Sequence, residues 1–154
     1  MSTDTGQVQV DVRGPRFAAW LTTTVLVITL VVSAFSTPAA ALILGAQTIV
    51  FALGAFRGPR NSPYGVLFGK LIAPRLGPVK EREPVPPLKF AQLVGLVFAA
   101  IGVVGFAAGI PLLGVVATAF ALFAAFLNAA FGICLGCQLY PFVVRLRLRR
   151  PASA

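Results

Sequence analysis

Four long apolar runs without a charged residue constrain this chain more than any other feature of its sequence. The runs cover residues 17–35, 38–56, 90–108 and 112–133. About 20 residues of α-helix, rising 1.5 Å each, cross the roughly 30 Å hydrocarbon core of a bilayer. Charged residues make up only 11% of the chain, against roughly 25% in soluble domains. We therefore predict an all-α fold, a four-helix transmembrane bundle.

The connections within the first pair of runs and within the last pair are short. Ser36-Thr37-Pro38 offers an N-cap and a proline for the first helical turn, and Gly109-Ile110-Pro111 is a second tight turn. The first run also resembles a secretory signal, because basic residues precede it and Ala39-Ala40-Ala41 follows it. It is much longer than the usual apolar region of about 7 to 15 residues, so we interpret it as a span.

The remaining residues divide the chain into a terminus, a membrane domain and a tail. Residues 1–12 are polar and short, and we predict a mobile N-terminus there. The membrane domain covers 13–140, and its long connection, 57–89, contains seven prolines that forbid one continuous helix. Residues 141–154 form a basic tail. Gln47 lies near the middle of the second run, where an unpaired amide is costly, so it should face other helices.

A short amphipathic helix is predicted within the long connection, near residues 63–73. Ser62 and Pro63 are typical of a helix start. The apolar residues that follow have helical spacing and would form one face: Tyr64, Leu67, Phe68, Leu71 and Ile72. We expect this helix to lie at the membrane interface with that face in the acyl boundary.

The distribution of basic residues predicts the orientation in the membrane. All 13 Lys and Arg residues lie in the N-terminal flank, the long connection or the tail. The two tight turns carry none, so the positive-inside rule places both termini and the long connection in the cytoplasm, with the chain in the inner membrane. The net charge of +9 is explained by anionic lipid headgroups, and we predict no nucleic-acid partner.

The residue types exclude several classes of chemistry. The chain has no histidine, and its four carboxylates (Asp4, Asp11, Glu81 and Glu83) lie outside the apolar runs. A histidine-based triad and an intramembrane carboxylate pair are therefore absent, and ion-coupled transport is not expected. Two cysteines supply half of a tetrahedral zinc site, so we predict neither a metal nor a cofactor. A metal remains open only if two chains meet or if Cu(I) accepts two sulfurs.

The only reactive pair is Cys134 and Cys137, spaced C-x-x-C where the last run gives way to the basic tail. We expect the pair at the cytoplasmic end of the last helix, resting as thiols in a reducing compartment. A helix C-terminus disfavours a thiolate. Cys134 should lie deeper and Cys137 nearer water, which makes Cys137 the attacking or first-attacked sulfur and Cys134 the resolving one.

Three residues near the cysteines are candidate supporting residues. Asn128 lies about two helical turns before Cys134, and interhelical hydrogen bonding is its expected role. Gly136 offers a helix end between the two cysteines. Tyr140, followed by the arginines of the tail, is typical of an interfacial anchor.

Several segments resemble a bacterial integral membrane family typical of actinobacteria, domain of unknown function 4395. They are Val10-Asp-Val-Arg-Gly-Pro-Arg-Phe17, Gly58-Pro-Arg-Asn-Ser-Pro-Tyr-Gly-Val-Leu-Phe68, Ala73-Pro-Arg-Leu76, and Asn128 with the late cysteine motif. Cys134, Gly136, Cys137 and Tyr140 match the family's terminal motif, and the resemblance covers about residues 9–148. It implies an inner-membrane protein linked to thioredoxin-like or sulfurtransferase proteins.

Two functions from different classes follow from these observations. The first is thiol–disulfide or sulfur-handling redox chemistry, in which Cys134 and Cys137 exchange with a cytosolic thioredoxin-like or sulfurtransferase protein. The alternative is a non-enzymatic membrane scaffold whose basic connection docks a cytosolic partner. Loss of function on replacing both cysteines favours the first, whereas loss on neutralising Lys80, Arg82 and Lys89 favours the second.

Overall fold

The structure, a computed structural model, describes residues 9–149, and most of them are helical. In chain order the elements are β1 (Gln9–Asp11), α1 (Arg13–Ser33), α2 (Thr37–Arg57), α3 (Pro63–Leu67), β2 (Arg82–Pro84), α4 (Val85–Ala107), α5 (Pro111–Phe131) and α6 (Leu135–Arg149). Helices α1, α2, α4 and α5 are each long and apolar enough to cross a membrane. The prediction of an all-α bundle with four apolar helices is confirmed.

The long helices begin before the apolar runs that define them. Helix α4 begins at Val85, and Pro86 and Pro87 lie in its first turn, where the missing N–H groups have no helical partner in any case. Helix α2 begins as the sequence predicts, because the Ser36 side chain accepts a hydrogen bond from the Ala39 N–H at 3.3 Å. A glycine with φ of +93°, Gly58, follows its end.

Each long helix packs chiefly on two neighbours. Helix α1 packs on α2 and α5, and α4 packs on the same two helices, so α1 and α4 lie on opposite sides of the bundle. Leu26, Leu44 and Phe106 are among the fully buried residues of the core. Helices α4 and α5 approach closely where Gly105 lies against Gly114, since a side chain at either position would have no room. This close contact lies near the tight turn at residues 108–110.

A buried polar cluster links α1, α2 and α3. The Gln47 side-chain amide donates to Thr22 Oγ1 at 3.3 Å, and the Tyr64 hydroxyl donates to Gln47 Oε1 at 2.7 Å. Gln47 is fully buried, so these bonds satisfy an amide that would be costly to expose to lipid. The prediction that Gln47 faces other helices is confirmed.

One end of the bundle carries the two tight turns. The other end, where α1 and α4 begin and α2 and α5 end, is called the basic end below. The predicted helix near 63–73 is present there, as α3 followed by a π-helical turn over Phe68–Ile72 and a 3₁₀ turn over Ala73–Arg75. Phe68 packs on Phe17 with ring centroids 5.8 Å apart, so this side of the segment covers the bundle.

The N-terminal residues differ from the predicted mobile terminus where the structure describes them. Strand β1 pairs antiparallel with β2, with Val10 opposite Glu83 and Asp11 opposite Arg82. Asp11 also forms an ion pair with Arg13 at 2.7 Å, which lowers the pKa of the Asp11 carboxyl. This short segment forms a strand because β2 supplies a partner from the long connection. Residues 1–8 of the predicted terminus lie outside the described range.

Candidate functional site

Cys134 and Cys137 are joined by a disulfide at the basic end. Their Cα atoms are 5.2 Å apart, because residues spaced by three lie on one side of a helical turn. The structure describes the pair in its disulfide form, and the expectation that it rests as thiols in the cell stays a prediction. Both residues are half-buried, so neither is sealed in the core.

Helix α5 ends before the cysteines. Gly132 has φ of +70°, a conformation that glycine adopts without strain. Its N–H donates to the Asn128 carbonyl at 3.1 Å, and the Ile133 N–H donates to the Leu127 carbonyl at 3.2 Å. These bonds form a Schellman-type helix end. The prediction that the cysteines lie at the C-terminal end of the last helix is wrong, because this glycine ends α5 and a separate helix follows.

Cys134 immediately precedes α6, where its sulfur takes the role of an N-cap side chain. The Cys137 N–H donates to Cys134 Sγ at 3.3 Å, and the Gln138 N–H donates to the Cys134 carbonyl at 3.1 Å. The positive end of a helix dipole and a free N–H both stabilise a negative sulfur. The local field therefore favours a thiolate at Cys134, the reverse of the effect expected from the sequence.

Two of the predicted supporting residues hold α6 against α4. Gly136 is buried on Ala91, and a Cβ at residue 136 would lie 2.5 Å from the Ala91 Cα. The Tyr140 ring packs on Phe90 with centroids 6.0 Å apart. Gly136 lies in the first turn of α6 and does not end a helix, so its role is a close approach between helices.

A cavity of about 350 Å³ lies between β2, the start of α4 and α6, and is called the outer cavity. Both cysteines line it, together with Glu83 and Gln138. Burial raises the pKa of the Glu83 carboxyl above its ordinary value of 4.5, and Glu81 raises it further. Glu83 thus places a carboxyl with a raised pKa in the cavity that the disulfide lines.

Sequence reasoning missed Glu83. It stands in an extended, proline-rich segment, and nothing local relates it to the cysteines. Its position depends on β2, which pairs with β1, and on the packing of α6 against α4. The only available signal was that Glu81 and Glu83 are the sole carboxylates in the long connection.

A second and larger cavity, of about 790 Å³, extends from the basic end into the middle of the bundle and is called the inner cavity. Its deep part is lined by aromatic and small apolar residues, including Phe51, Phe98, Phe120, Phe123 and Ala124. Residues of α1, α2, α4 and α5 all line it, together with residues of the long connection and of α6.

Two carboxamides, those of Gln92 and Asn128, line the inner cavity from α4 and α5. Both residues are half-buried, and neither side chain forms a hydrogen bond with another residue in the described range 9–149. The interhelical hydrogen bond predicted for Asn128 is therefore not present among those residues. Its amide faces a space that is large enough for a ligand.

The disulfide lies at the junction of the two cavities. Cys134 lines both cavities, whereas Cys137 lines the outer one. The pair thus lies between a small pocket at the surface and a larger cavity within the bundle. The structure brings all five predicted site residues to this region, with Cys134, Gly136, Cys137 and Tyr140 at the start of α6 and Asn128 across the inner cavity.

The structure gives no sign of a metal centre in the part of the chain that it describes. Between residues 9 and 149, no three His, Cys, Asp or Glu side chains come together as a group that could hold an ion. A metal shared between two chains, or Cu(I) on two sulfurs, stays an open alternative to the predicted absence of a metal.

Comparison with known proteins identified one family. The sequence matches the family described as domain of unknown function (DUF4395) over residues 10–145. No curated protein and no solved structure matches the sequence.

Proposed function

The chain belongs to the family described as domain of unknown function (DUF4395), and from the geometry of its site we propose that it is a membrane thiol–disulfide exchange protein. The observation that carries the proposal is the disulfide at the start of α6, where the Cys137 N–H is bonded to Cys134 Sγ. Exchange needs a reachable disulfide and a stabilised leaving thiolate, and this arrangement supplies both.

The partner's thiolate attacks Cys137 Sγ from the outer cavity. The S–S bond breaks, its electron pair leaves on Cys134 Sγ, and α6 stabilises this thiolate through its dipole. A mixed disulfide then joins the partner to Cys137. Cys137 is the first-attacked sulfur in this order, as the sequence also predicted. The sequence prediction rested on the depth of the two cysteines, whereas here the reason is that Cys134 is the better leaving group.

The partner's second thiol completes the exchange. It loses its proton to Glu83, attacks the partner's own sulfur in the mixed disulfide and releases Cys137 as a thiolate. The partner leaves oxidised and the Cys134–Cys137 pair is reduced by two electrons. A carboxyl with a raised pKa suits this proton transfer, because it can accept and return a proton closer to neutral pH.

The partner in this proposal is a soluble thioredoxin-like protein or sulfurtransferase on the cytoplasmic side. The basic end supports this choice, because the positive-inside rule favours the cytoplasm for the end of the bundle that carries the basic residues. A thioredoxin-like partner provides the two thiols that the exchange consumes.

Thiol trapping in cells tests the proposal. The Cys134→Ser variant retains Cys137 and lacks the thiolate that would reverse the attack, so it should accumulate a mixed disulfide on a non-reducing gel. The matched variant, Cys137→Ser, should accumulate less, because Cys137 lines the outer cavity alone whereas Cys134 also lines the inner one. The proposal fails if oxidant leaves both wild-type cysteines reduced and neither variant traps a partner. In that case a scaffold role for the basic connection takes its place, and neutralising Lys80, Arg82 and Lys89 should abolish partner binding.

A further inference from the structure

We propose that the inner cavity binds a lipid-soluble quinone and that this quinone reoxidises the Cys134–Cys137 dithiol. The inference rests on the proposed thiol exchange, since each exchange leaves the pair reduced by two electrons. Turnover then requires an acceptor of two electrons and two protons. Quinones are the class of membrane-soluble molecules with that stoichiometry.

The lining of the inner cavity fits a quinone ring. The volume of about 790 Å³ is within the range of roughly 300 to 1,000 Å³ that small-molecule sites occupy. Phe98 and Phe120 are stacked with centroids 5.8 Å apart, and Phe120 lies about 12 Å of helix deeper than Asn128, so this pair would pack on the apolar tail of a quinone whose ring lies beside Asn128 and Cys134. The deep part of the cavity lies among helices that are apolar enough for a membrane, whereas charged residues, including Arg60, Lys70 and Arg82, line its part at the basic end, so the deep part suits the apolar tail of a quinone.

Two hydrogen-bond donors are available for the two carbonyl oxygens of a quinone. The carboxamides of Gln92 and Asn128 line the cavity without a partner among the described residues. A site with mostly apolar walls and a few polar groups is the usual form of a small-molecule site.

The cavity also reaches the outer surface of the bundle. Phe120 and Phe123 line it and are 59% and 58% exposed, on a helix whose outer face would contact lipid. A molecule dissolved in the bilayer can therefore approach the cavity from the side. Soluble partners reach Cys137 through the outer cavity instead, so the two substrates do not compete for one opening.

The redox step balances between the dithiol and the quinone. Cys134 is the cysteine that lines the inner cavity, and its thiolate adds to the quinone ring. The Cys137 thiolate then attacks Cys134 Sγ, so that the S–S bond forms, the C–S bond breaks and its electron pair stays on the ring. The two ring oxygens take up the two protons that the thiols lost. The cysteines are oxidised, and the quinone is reduced to hydroquinone.

Reoxidation of the purified chain tests the inference. The full chain is placed in nanodiscs of quinone-free phospholipid, reduced with dithiothreitol, separated from it and mixed with decylubiquinone. Free thiols are counted by alkylation and mass spectrometry, and quinone reduction is followed by its ultraviolet absorbance. We expect one quinone reduced for each disulfide formed. Persistence of the thiols in the presence of quinone overturns the inference.

Variants locate the reaction in the inner cavity. Ala124→Phe places a ring in the cavity, where it would overlap the quinone. Reoxidation should therefore slow at least about tenfold, since a site that is already filled accepts the quinone only with overpacking. Leu42→Phe is the matched control, because Leu42 is 78% exposed on the outside of α2, and should react as the wild type does. Asn128→Leu removes the polar groups of the side chain while keeping its branched shape, and it keeps the test decisive if Ala124→Phe does not fold. Wild-type rates in both cavity variants overturn the inference.

The two proposals fail separately. Dithiothreitol replaces the soluble partner in the quinone assay, so this assay does not depend on thiol exchange with a protein. Oxidised chain mixed with reduced thioredoxin tests the exchange alone. Exchange without quinone reduction overturns the quinone site and leaves the proposed function standing. Quinone reduction without exchange supports the quinone site and overturns the soluble dithiol partner.

Discussion

Replacing Gly136 with alanine tests how tightly α6 is held against α4. The added Cβ would lie 2.5 Å from the Ala91 Cα and 2.6 Å from its Cβ, whereas ordinary van der Waals contact begins at 3.4 Å. Neither neighbour can rotate away, because one is backbone and the other is fixed to it. Helix α6 must therefore move away from α4 by about 1 Å, at an overpacking cost of about 1 to 3 kcal/mol.

The opposing effect is smaller. Alanine is favoured over glycine by up to about 1 kcal/mol in a helix interior, and by less in the first turn, where residue 136 lies. We expect Gly136→Ala to lower the free energy of unfolding by about 1 to 2 kcal/mol. The cysteines also move relative to Glu83, and a displacement of about 1 Å can slow a positioned reaction by as much as about a hundredfold.

The assay measures unfolding by sodium dodecyl sulfate in mixed micelles, together with the rate of mixed-disulfide formation. Gly45→Ala is the control, because residue 45 is in helix α2 and nothing lies within 4 Å of an added Cβ there. It should be neutral or slightly stabilising. Adding Ala91→Gly to Gly136→Ala should restore only part of the loss, since the contact with the Ala91 Cα remains. Equal stability and equal exchange rates in Gly136→Ala and wild type would refute the packing of α6 on α4.

Three further predictions concern the site, the core and the orientation. Glu83→Gln should remove an inflection in the pH profile of exchange that lies above pH 4.5. Because the folded state raises the pKa of Glu83, ionisation of this carboxyl costs stability as pH rises through the raised value. The variant should therefore be more stable than wild type at neutral pH and show no gain in acid. The same profile in both proteins would exclude Glu83 from proton transfer. Tyr64→Phe leaves the buried Gln47 Oε1 without its donor and should cost about 1 to 3 kcal/mol of unfolding free energy, measured in the same micelles; an unchanged value would show that the bond contributes nothing. A single cysteine at Thr37 or Gly109, in a cysteine-free background, should react with an impermeant reagent in intact cells, and labelling only after the inner membrane is opened would reverse the orientation.

The four apolar helices could be predicted from the sequence because each is a local property of length and hydrophobicity. A run of about 20 residues without a charge has few other stable environments. The prolines and glycines between the runs predicted the tight turns for the same local reason. Gln47 was predictable too, since an amide in the middle of a span needs a partner wherever the helix packs.

The environment of Cys134 and Cys137 was not predictable in this way. Gly132 lies inside an apolar run, and glycine is common in membrane helices, so hydropathy cannot show that α5 ends there. That one positive φ angle changes the position of the cysteines from the end of one helix to the start of another. The sign of the dipole at Cys134 reverses as a result.

The sequence by itself determined the membrane class, the number of apolar helices, the basic end and the one reactive pair of side chains. Only the tertiary structure decided that Glu83 shares a cavity with that pair, and that Cys134 also faces a chamber lined by Gln92 and Asn128. The physical reason is that helix formation depends on neighbours a few residues apart. A cavity depends on where several helices fail to touch. The two cavities at the cysteines form only after distant parts of the chain are in place, namely β1, β2, α4, α5 and α6.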